Sequence, residues 1–175
     1  MKTLIIYSSQ TGFTRKYAKW IAEAMGGNAM SLDDAKALTD KEFAIFDAIV
    51  YGGWAMAGKI VKSKWFLENA KEWKEKRLAI FCVGASPMGS PDIDAAMEKA
   101  LSDEERKFIK LFYCPGGVDY SKMNTPSSLV LKTLAAVLKK SKDTSKQKQG
   151  EVLSNSYDIS NKKYIEPIVE YLKEQ

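Results

Sequence analysis

Residues 4–16, Leu4-Ile5-Ile6-Tyr7-Ser8-Ser9-Gln10-Thr11-Gly12-Phe13-Thr14-Arg15-Lys16, restrict the fold of this chain more than any other stretch. A short apolar run stops abruptly at hydroxyl residues and one glycine. An amphipathic pattern then begins at Arg15, with Ala18, Ile21, Ala22 and Met25 recurring at helical spacing. The loop therefore joins the carboxyl end of a buried strand to the amino end of a helix. Backbone N–H groups without intrahelical partners, and the positive end of the helix dipole, favour an anion there. Ser9, Thr11 and Thr14 add hydroxyl donors, and Gly12 lets the backbone approach a ligand closely. The loop reads as a phosphate site; the plainer alternative is an ordinary helix cap.

The same alternation continues along the chain. Gly26-Gly27 stops the first helix, 29–32 supplies a short strand, and 33–40 is a polar connector. Phe43 to Tyr51 gives a strongly apolar strand ending at Gly52-Gly53. Phe66, Leu67, Ala70 and Trp73 form a helical stripe within 60–74, and Leu78 to Val83 is a strand closed by Gly84. A helix carrying Ile93, Ala96, Met97, Ala100 and Leu101 precedes a strand from Phe108 to Cys114, which Pro115-Gly116-Gly117 ends. Strands alternating with helices predict a parallel sheet covered on both faces. Right-handed crossovers favour an open doubly wound sheet, here with five strands in the order 2-1-3-4-5. Val130, Leu134, Val137 and Leu138 predict a helix within 126–140, with Pro126 in its first turn. A final helix carries Ile165, Ile168, Val169 and Leu172. It either starts near Pro167 or begins earlier, after an Asp158 or Ser160 cap, and kinks there.

Composition removes several classes of function. At 175 residues the chain can bury a full core. No run approaches the roughly 20 apolar residues of a membrane helix, and the N-terminal run is too short for a signal peptide, so a cytoplasmic location is expected. Cys82 and Cys114 lie in strand-like runs without CxxC spacing and read as buried reduced thiols. The absence of histidine removes Ser-His-Asp and Cys-His catalysis and argues against zinc. The net charge of +5 has nucleic acid, an acidic membrane surface and simple solubility as candidate causes. Much of it sits in Lys139, Lys140, Lys142, Lys146 and Lys148, in a Ser/Lys/Gln-rich stretch that reads first as a solvated mobile loop.

Ligands of open α/β sheets bind beyond the carboxyl ends of the strands, at the switch point of the strand order. Three loops should meet there. Residues 8–14 suit a phosphate. Gly52-Gly53-Trp54-Ala55-Met56-Ala57-Gly58-Lys59 is flexible and apolar with one large aromatic, and Gly84-Ala85-Ser86-Pro87-Met88-Gly89 offers small residues and backbone amides. Together they suit a flat ring with a phosphate tail. Flavin mononucleotide (FMN) fits better than ATP, because there is no GxxxxGK[ST] motif and no evident magnesium or other metal cluster.

At these residues the chain resembles flavodoxins. Ser9-Gln10-Thr11-Gly12-Phe13-Thr14 is similar to their phosphate-loop pattern [ST]-x-T-G-x-T, with Phe13 where Asn is frequent. Tyr51 to Lys59, Phe81-Cys82-Val83-Gly84 and Pro115-Gly116-Gly117-Val118-Asp119-Tyr120-Ser121-Lys122 resemble the branch that includes bacterial flavodoxin-type, menaquinone-dependent protoporphyrinogen oxidases. That branch usually reads closer to G-x-S-I-R-x-G-K in the 50s loop; Trp54-Ala55-Met56 replaces its centre here, without an arginine. The resemblance implies a three-layer flavodoxin-like α/β fold over 1–175, with a late insertion at about 120–157. It implies that Ser9, Gln10, Thr11, Gly12, Phe13 and Thr14 hold the FMN phosphate. Gly53, Trp54, Ala55, Met56, Ala57 and Gly58 would flank the ring, as would Gly84, Ala85, Ser86, Pro87, Met88 and Gly89, with Gly117 and Asp119 near its edge.

The function so implied is an FMN-dependent oxidoreductase passing electrons from a reduced substrate to a quinone or similar acceptor. The alternative is a flavodoxin-type carrier between redox proteins, although such carriers are usually strongly acidic. No side chain is assigned as catalytic acid or base. A redox partner protein or quinone is expected and no nucleic acid. The basic insertion would supply any peripheral contact with the inner face of the membrane; its plainer reading is a helix packed on the sheet edge with a solvated lysine tail. A receiver domain needs paired carboxylates, and a low-molecular-weight phosphatase a Cys-to-Arg loop, where Ser8-Ser9-Gln10 stands.

Overall fold

The computed structural model describes residues 1–56 and 58–174. β1 (Thr3–Tyr7), α1 (Phe13–Met25), β2 (Asn28–Ser31), two single-turn helices α2 (Leu32–Ala35) and α3 (Asp40–Ala44), and β3 (Ala48–Met56) open the chain. A two-residue β4 (Lys59–Ile60) turns back on β3, followed by α4 (Ser63–Ala70), β5 (Arg77–Gly84), α5 (Pro91–Lys99), α6 (Asp103–Arg106) and β6 (Ile109–Pro115). The order β2-β1-β3-β5-β6 is parallel throughout and is the expected 2-1-3-4-5 arrangement.

Side chains two apart along each strand share a face of the sheet, and both faces are covered. Leu4, Ile6, Ile49, Tyr51, Leu78 and Ile80 pack with Phe66, Trp73 and Phe43 on one side. Ile5, Val50, Ala79, Phe81 and Val83 pack with Tyr17, Ile21 and Ile168 on the other. The central strands are thus apolar without alternation because neither face sees water.

After β6, a two-stranded ribbon of β7 (Gly117–Val118) and β8 (Tyr157–Asp158) closes the base of a helical hairpin, α7 (Thr125–Lys139) and α8 (Thr144–Leu153). The lysine-rich stretch, expected as a mobile loop, runs from Lys139 at the end of α7 through the short 140–143 connection into α8, which holds Lys146 and Lys148. Asp143 caps it by accepting from the Ser145 and Lys146 N–H groups. Gly150 lets its backbone lie against Lys139 and Ala135 of α7. Pro167 marks where the last helix starts: a 3₁₀ turn (Lys162–Ile165) leads into α9 (Glu166–Lys173), with the proline in its first turn. The cap of that turn is Asn161 rather than Asp158 or Ser160. The connector 33–40 contains α2 and leads into α3, whose Thr39–Glu42 capping box draws Phe43 into a helix instead of a strand.

Candidate functional site

The first loop is built around Gly12, whose φ of 102° lies in the left-handed region that glycine adopts without strain. Gly12 caps α1 with no side-chain hydrogen bond, so the first-turn N–H groups of the helix stay available to a ligand. Ser9 Oγ accepts from the Gly12 N–H at 3.2 Å and so shapes the loop. Thr14 is buried, and Ser8 Oγ is buried without a hydrogen-bond partner among the described residues. Lys16, one turn into α1, donates to Asp158 Oδ2 at 2.9 Å and Ser160 Oγ at 2.8 Å, so a carboxylate compensates its charge.

The second segment corrects the sequence reading. Gly53, Trp54, Ala55 and Met56 continue β3 rather than forming a loop. Gly52 and Gly53 do not end the strand, because their missing side chains make room for Phe81 on one face and Ile60 on the other. A Cβ on Gly53 would lie 2.7 Å from Ile60 Cγ2 and 2.8 Å from Val61 O. Tyr51 donates to that same Val61 carbonyl at 2.7 Å and pins the returning chain, and burial pushes its hydroxyl pKa up to about 12. The third segment is held from two sides. Tyr113 donates to Ser86 O at 2.7 Å, and Tyr157, from β8, donates to Ala85 O at 2.6 Å.

These segments surround a cleft of about 330 Å³, within the ~300–1,000 Å³ usual for small-molecule sites. Gln10 and Thr11 line it from the first loop, Phe13 and Thr14 from the start of α1, Trp54, Ala55 and Met56 from β3, Val83 and Gly84 from the end of β5, and Ala85, Ser86 and Gly117 from beyond β5 and β6. Ser9, Gly12, Gly53, Gly58, Pro87, Met88, Gly89 and Asp119 are not among its lining residues, and Ala57 lies outside the described residues. Gly58 lines a smaller apolar recess with Cys82 and Met97, beside the cleft; burial pushes the Cys82 thiol up to about 12, which keeps it inert. Met88 is half exposed, and Asp119 borders a separate recess with Thr11 and Lys16. The Asp119 carboxylate accepts from Lys122 and Ser121, which hold it below the usual carboxylate range. It is a turn residue.

The far wall of the cleft was missed by sequence reasoning: Met123, Ser127, Val130, Leu131 and Leu134 around α7, with Gln149 and Leu153 of α8. The available signal was that α7 has more apolar positions than one buried stripe needs. No charged side chain lines the cleft among the described residues.

A model of the flavodoxin domain matches residues 4–145. The chain belongs to the flavodoxin domain family. The sheet order and helix layers above are those of a flavodoxin-like α/β fold. No curated protein sequence matches the chain. Among solved structures, a flavodoxin, WrbA-like protein from Agrobacterium tumefaciens is 24% identical with a TM-score of 0.40, over 50% of this chain and 62% of that one. Oxidised flavodoxin 2 from Bacillus cereus is 17% identical with a TM-score of 0.43, over 65% of this chain and 84% of that one. A flavoprotein from Lactobacillus acidophilus, solved in complex with FMN, is 17% identical with a TM-score of 0.40, over 65% and 91%. Among the described residues of this flavodoxin domain, no helix is long and apolar enough to cross a membrane.

Proposed function

We propose that this flavodoxin domain binds FMN and works as an oxidoreductase, passing two electrons and two protons from a reduced substrate to an uncharged quinone-type acceptor. The donor set fits the cofactor. Gln10, Thr11 and Thr14 at an uncapped helix start would hold the phosphate, and Trp54, Met56 and the Ala85–Ser86 segment would hold the ring. Bound FMN would supply the redox chemistry, taking up and releasing electrons singly or in pairs.

The protein's own part is positioning and exclusion. Tyr113 and Tyr157 fix the Ala85 and Ser86 carbonyls, and the tyrosine hydroxyls stay protonated because burial raises their pKa values. The observation that carries the enzyme reading is the α7–α8 wall, which makes the site a lined cleft instead of an open edge. Its chemistry also narrows the acceptor. With the uncapped α1 start taken by the FMN phosphate, the phosphates of a nicotinamide dinucleotide or the two carboxylates of protoporphyrinogen would find no further anion site and no cation in the lining. The quinone half of a protoporphyrinogen-oxidase-type reaction is therefore better supported than the tetrapyrrole half.

The test is direct. Purified protein should release FMN on denaturation, and its reduced form should be reoxidised rapidly by a soluble quinone. Colourless protein that ignores added FMN overturns the cofactor assignment. Quinones that leave the reduced protein untouched, beside a one-electron protein acceptor that reoxidises it quickly, assign the domain as a carrier in cytoplasmic electron transfer.

A further inference from the structure

Between Ala48 and Leu67 the sequence has three lysines and no carboxylate. The fold gathers these lysines around one open recess of about 540 Å³. Lys59 of β4, Lys62 and Lys64 at the start of α4, and Lys99 at the end of α5 all line it. No carboxylate does so among the described residues. Lys59, Lys62 and Lys99 have no ion-pair partner among those residues. Lys64 meets Glu68 at 3.7 Å, in an exposed pair that offsets little of its charge. The backbone adds to the same field. α4 starts at the recess without a side-chain cap or an acidic residue in its first turn, so the positive end of its dipole is uncompensated. Its N-cap, Lys62, has a φ of 59° and is the only non-glycine residue with positive φ among the described residues. Glycine would adopt that conformation without strain, so a lysine there costs stability and adds charge.

Like charges held together repel in the free protein and attract a complementary anionic surface. A bilayer is a poor match, because none of the large apolar side chains exposed on this chain lies at the recess to enter the acyl region. Single-stranded nucleic acid is also a poor match, because no aromatic side chain in the lining offers a base a stacking partner. An acidic protein needs neither, and charge complementarity alone suffices to steer the brief encounters typical of redox partners. The recess is also placed for electron transfer: Met56 lines both it and the cleft, so a partner on these lysines stands beside the ring segment. We propose that an acidic one-electron protein docks on Lys59, Lys62, Lys64 and Lys99 and reduces FMN in the adjoining cleft. Each encounter transfers one electron. Two encounters oxidise two partner molecules and reduce one FMN, with two protons taken from solvent. The partner takes the place of the reduced substrate in the reading above; it rests on the FMN assignment there and not on the quinone acceptor.

The probe is an acidic two-iron ferredoxin, with basic cytochrome c as the control of opposite charge. Binding of the oxidised ferredoxin to the full chain, loaded with FMN, is titrated calorimetrically, so no turnover enters the measurement. Binding should weaken steeply with added salt, and cytochrome c should not bind. Lys59→Glu/Lys99→Glu should weaken ferredoxin binding at least tenfold and slow flavin reduction by reduced ferredoxin in the same proportion. Reduction by dithionite should be unchanged. Lys62→Gly should weaken binding without lowering Tm, which separates charge from folding. Lys146→Glu/Lys148→Glu makes the same change of charge on α8 and should leave binding within twofold of wild type. Equal loss in that α8 variant, or unchanged binding in the Lys59/Lys99 variant, overturns the proposal. So does binding of anionic vesicles or single-stranded RNA where ferredoxin does not bind. FMN-loaded protein that ferredoxin neither binds nor reduces refutes the docking alone. Ferredoxin binding by protein that takes up no FMN refutes the cofactor assignment alone.

Discussion

Replacing Gly150 by alanine sets helix propensity against packing, and the two predict opposite signs. Inside a helix, Gly→Ala normally stabilises by about 1 kcal/mol, because alanine loses less backbone entropy on folding. At this position the added Cβ would lie 2.7 Å from Lys139 N, 2.8 Å from Ala135 O and 3.0 Å from Leu138 Cβ. The two nearest atoms belong to the backbone of α7 and cannot swing away as the end of a long side chain can. Reaching ordinary contact at 3.4 Å requires α8 to retreat by roughly 0.7 Å. Overpacking of this kind costs about 1–3 kcal/mol. Set against the propensity gain, the expected net effect is a loss of about 0–2 kcal/mol. In a domain of this size that lowers Tm by up to about 8 °C if unfolding is global. Because Gln149 and Leu153 line the cleft, the shift should also speed amide exchange in α7 and α8 and slow quinone reduction while FMN stays bound. Thermal unfolding and hydrogen exchange are read together, with the exposed Lys148→Ala as a control. A Gly150→Ala protein with raised Tm and better-protected α8 amides would refute the close packing of the hairpin.

Thr14→Val removes a buried hydroxyl at the α1 start; it should weaken FMN by about tenfold, near the ~1–1.5 kcal/mol of a lost hydrogen bond. Flavin fluorescence titration reads it, and an unchanged Kd would take Thr14 out of the phosphate cradle. Trp54→Ala should weaken FMN while leaving the circular dichroism of the sheet intact, because Trp54 faces the cleft rather than the core; equal affinity would remove it from the ring site. Burial pushes the Tyr51 and Tyr157 hydroxyls up to about 12, whereas unfolded tyrosines ionise near pH ~10. Their raised folded values contribute stability that is complete below pH ~10 and lost as pH rises toward about 12. Site-resolved ring ¹³C shifts should therefore show Tyr51 and Tyr157 ionising only together with loss of the fold, and titration of either near pH ~10 in the folded protein would contradict its burial.

Local rules were enough for the parts of the chain where local structure and tertiary burial agree. The Leu4–Tyr7 run, the hydroxyl-rich turn at Gly12 and the stripe on α1 each specify the same strand–loop–helix unit. The alternation of later runs then leaves few topologies for the sheet. Local rules misled where a glycine acts through a neighbour instead of through its own backbone. Gly52 and Gly53 looked like the end of a strand, yet Phe81 and Ile60 occupy the space they leave and β3 runs on to Met56. The lysine-rich stretch before Gly150 looked like a mobile loop, yet Gly150 is the contact that brings α8 against α7.

The deeper ambiguity lies in α7. An apolar stripe shows that a helix face is to be covered, without saying by what, and α7 carries two such faces. Leu131, Ala135 and Leu138 meet α8 and the Tyr157 ribbon, which turns the hairpin into a wall of the cleft. Leu129 and Val137 are largely exposed, and Val130 and Leu134, half-exposed, reach the cleft. From spacing alone the two sets merge into one unusually apolar helix, which reads as packing on the sheet edge. Only the exposure of each residue separates them. A helix that walls the cleft on one side and turns an aliphatic face outward on the other is not one that spacing alone can describe.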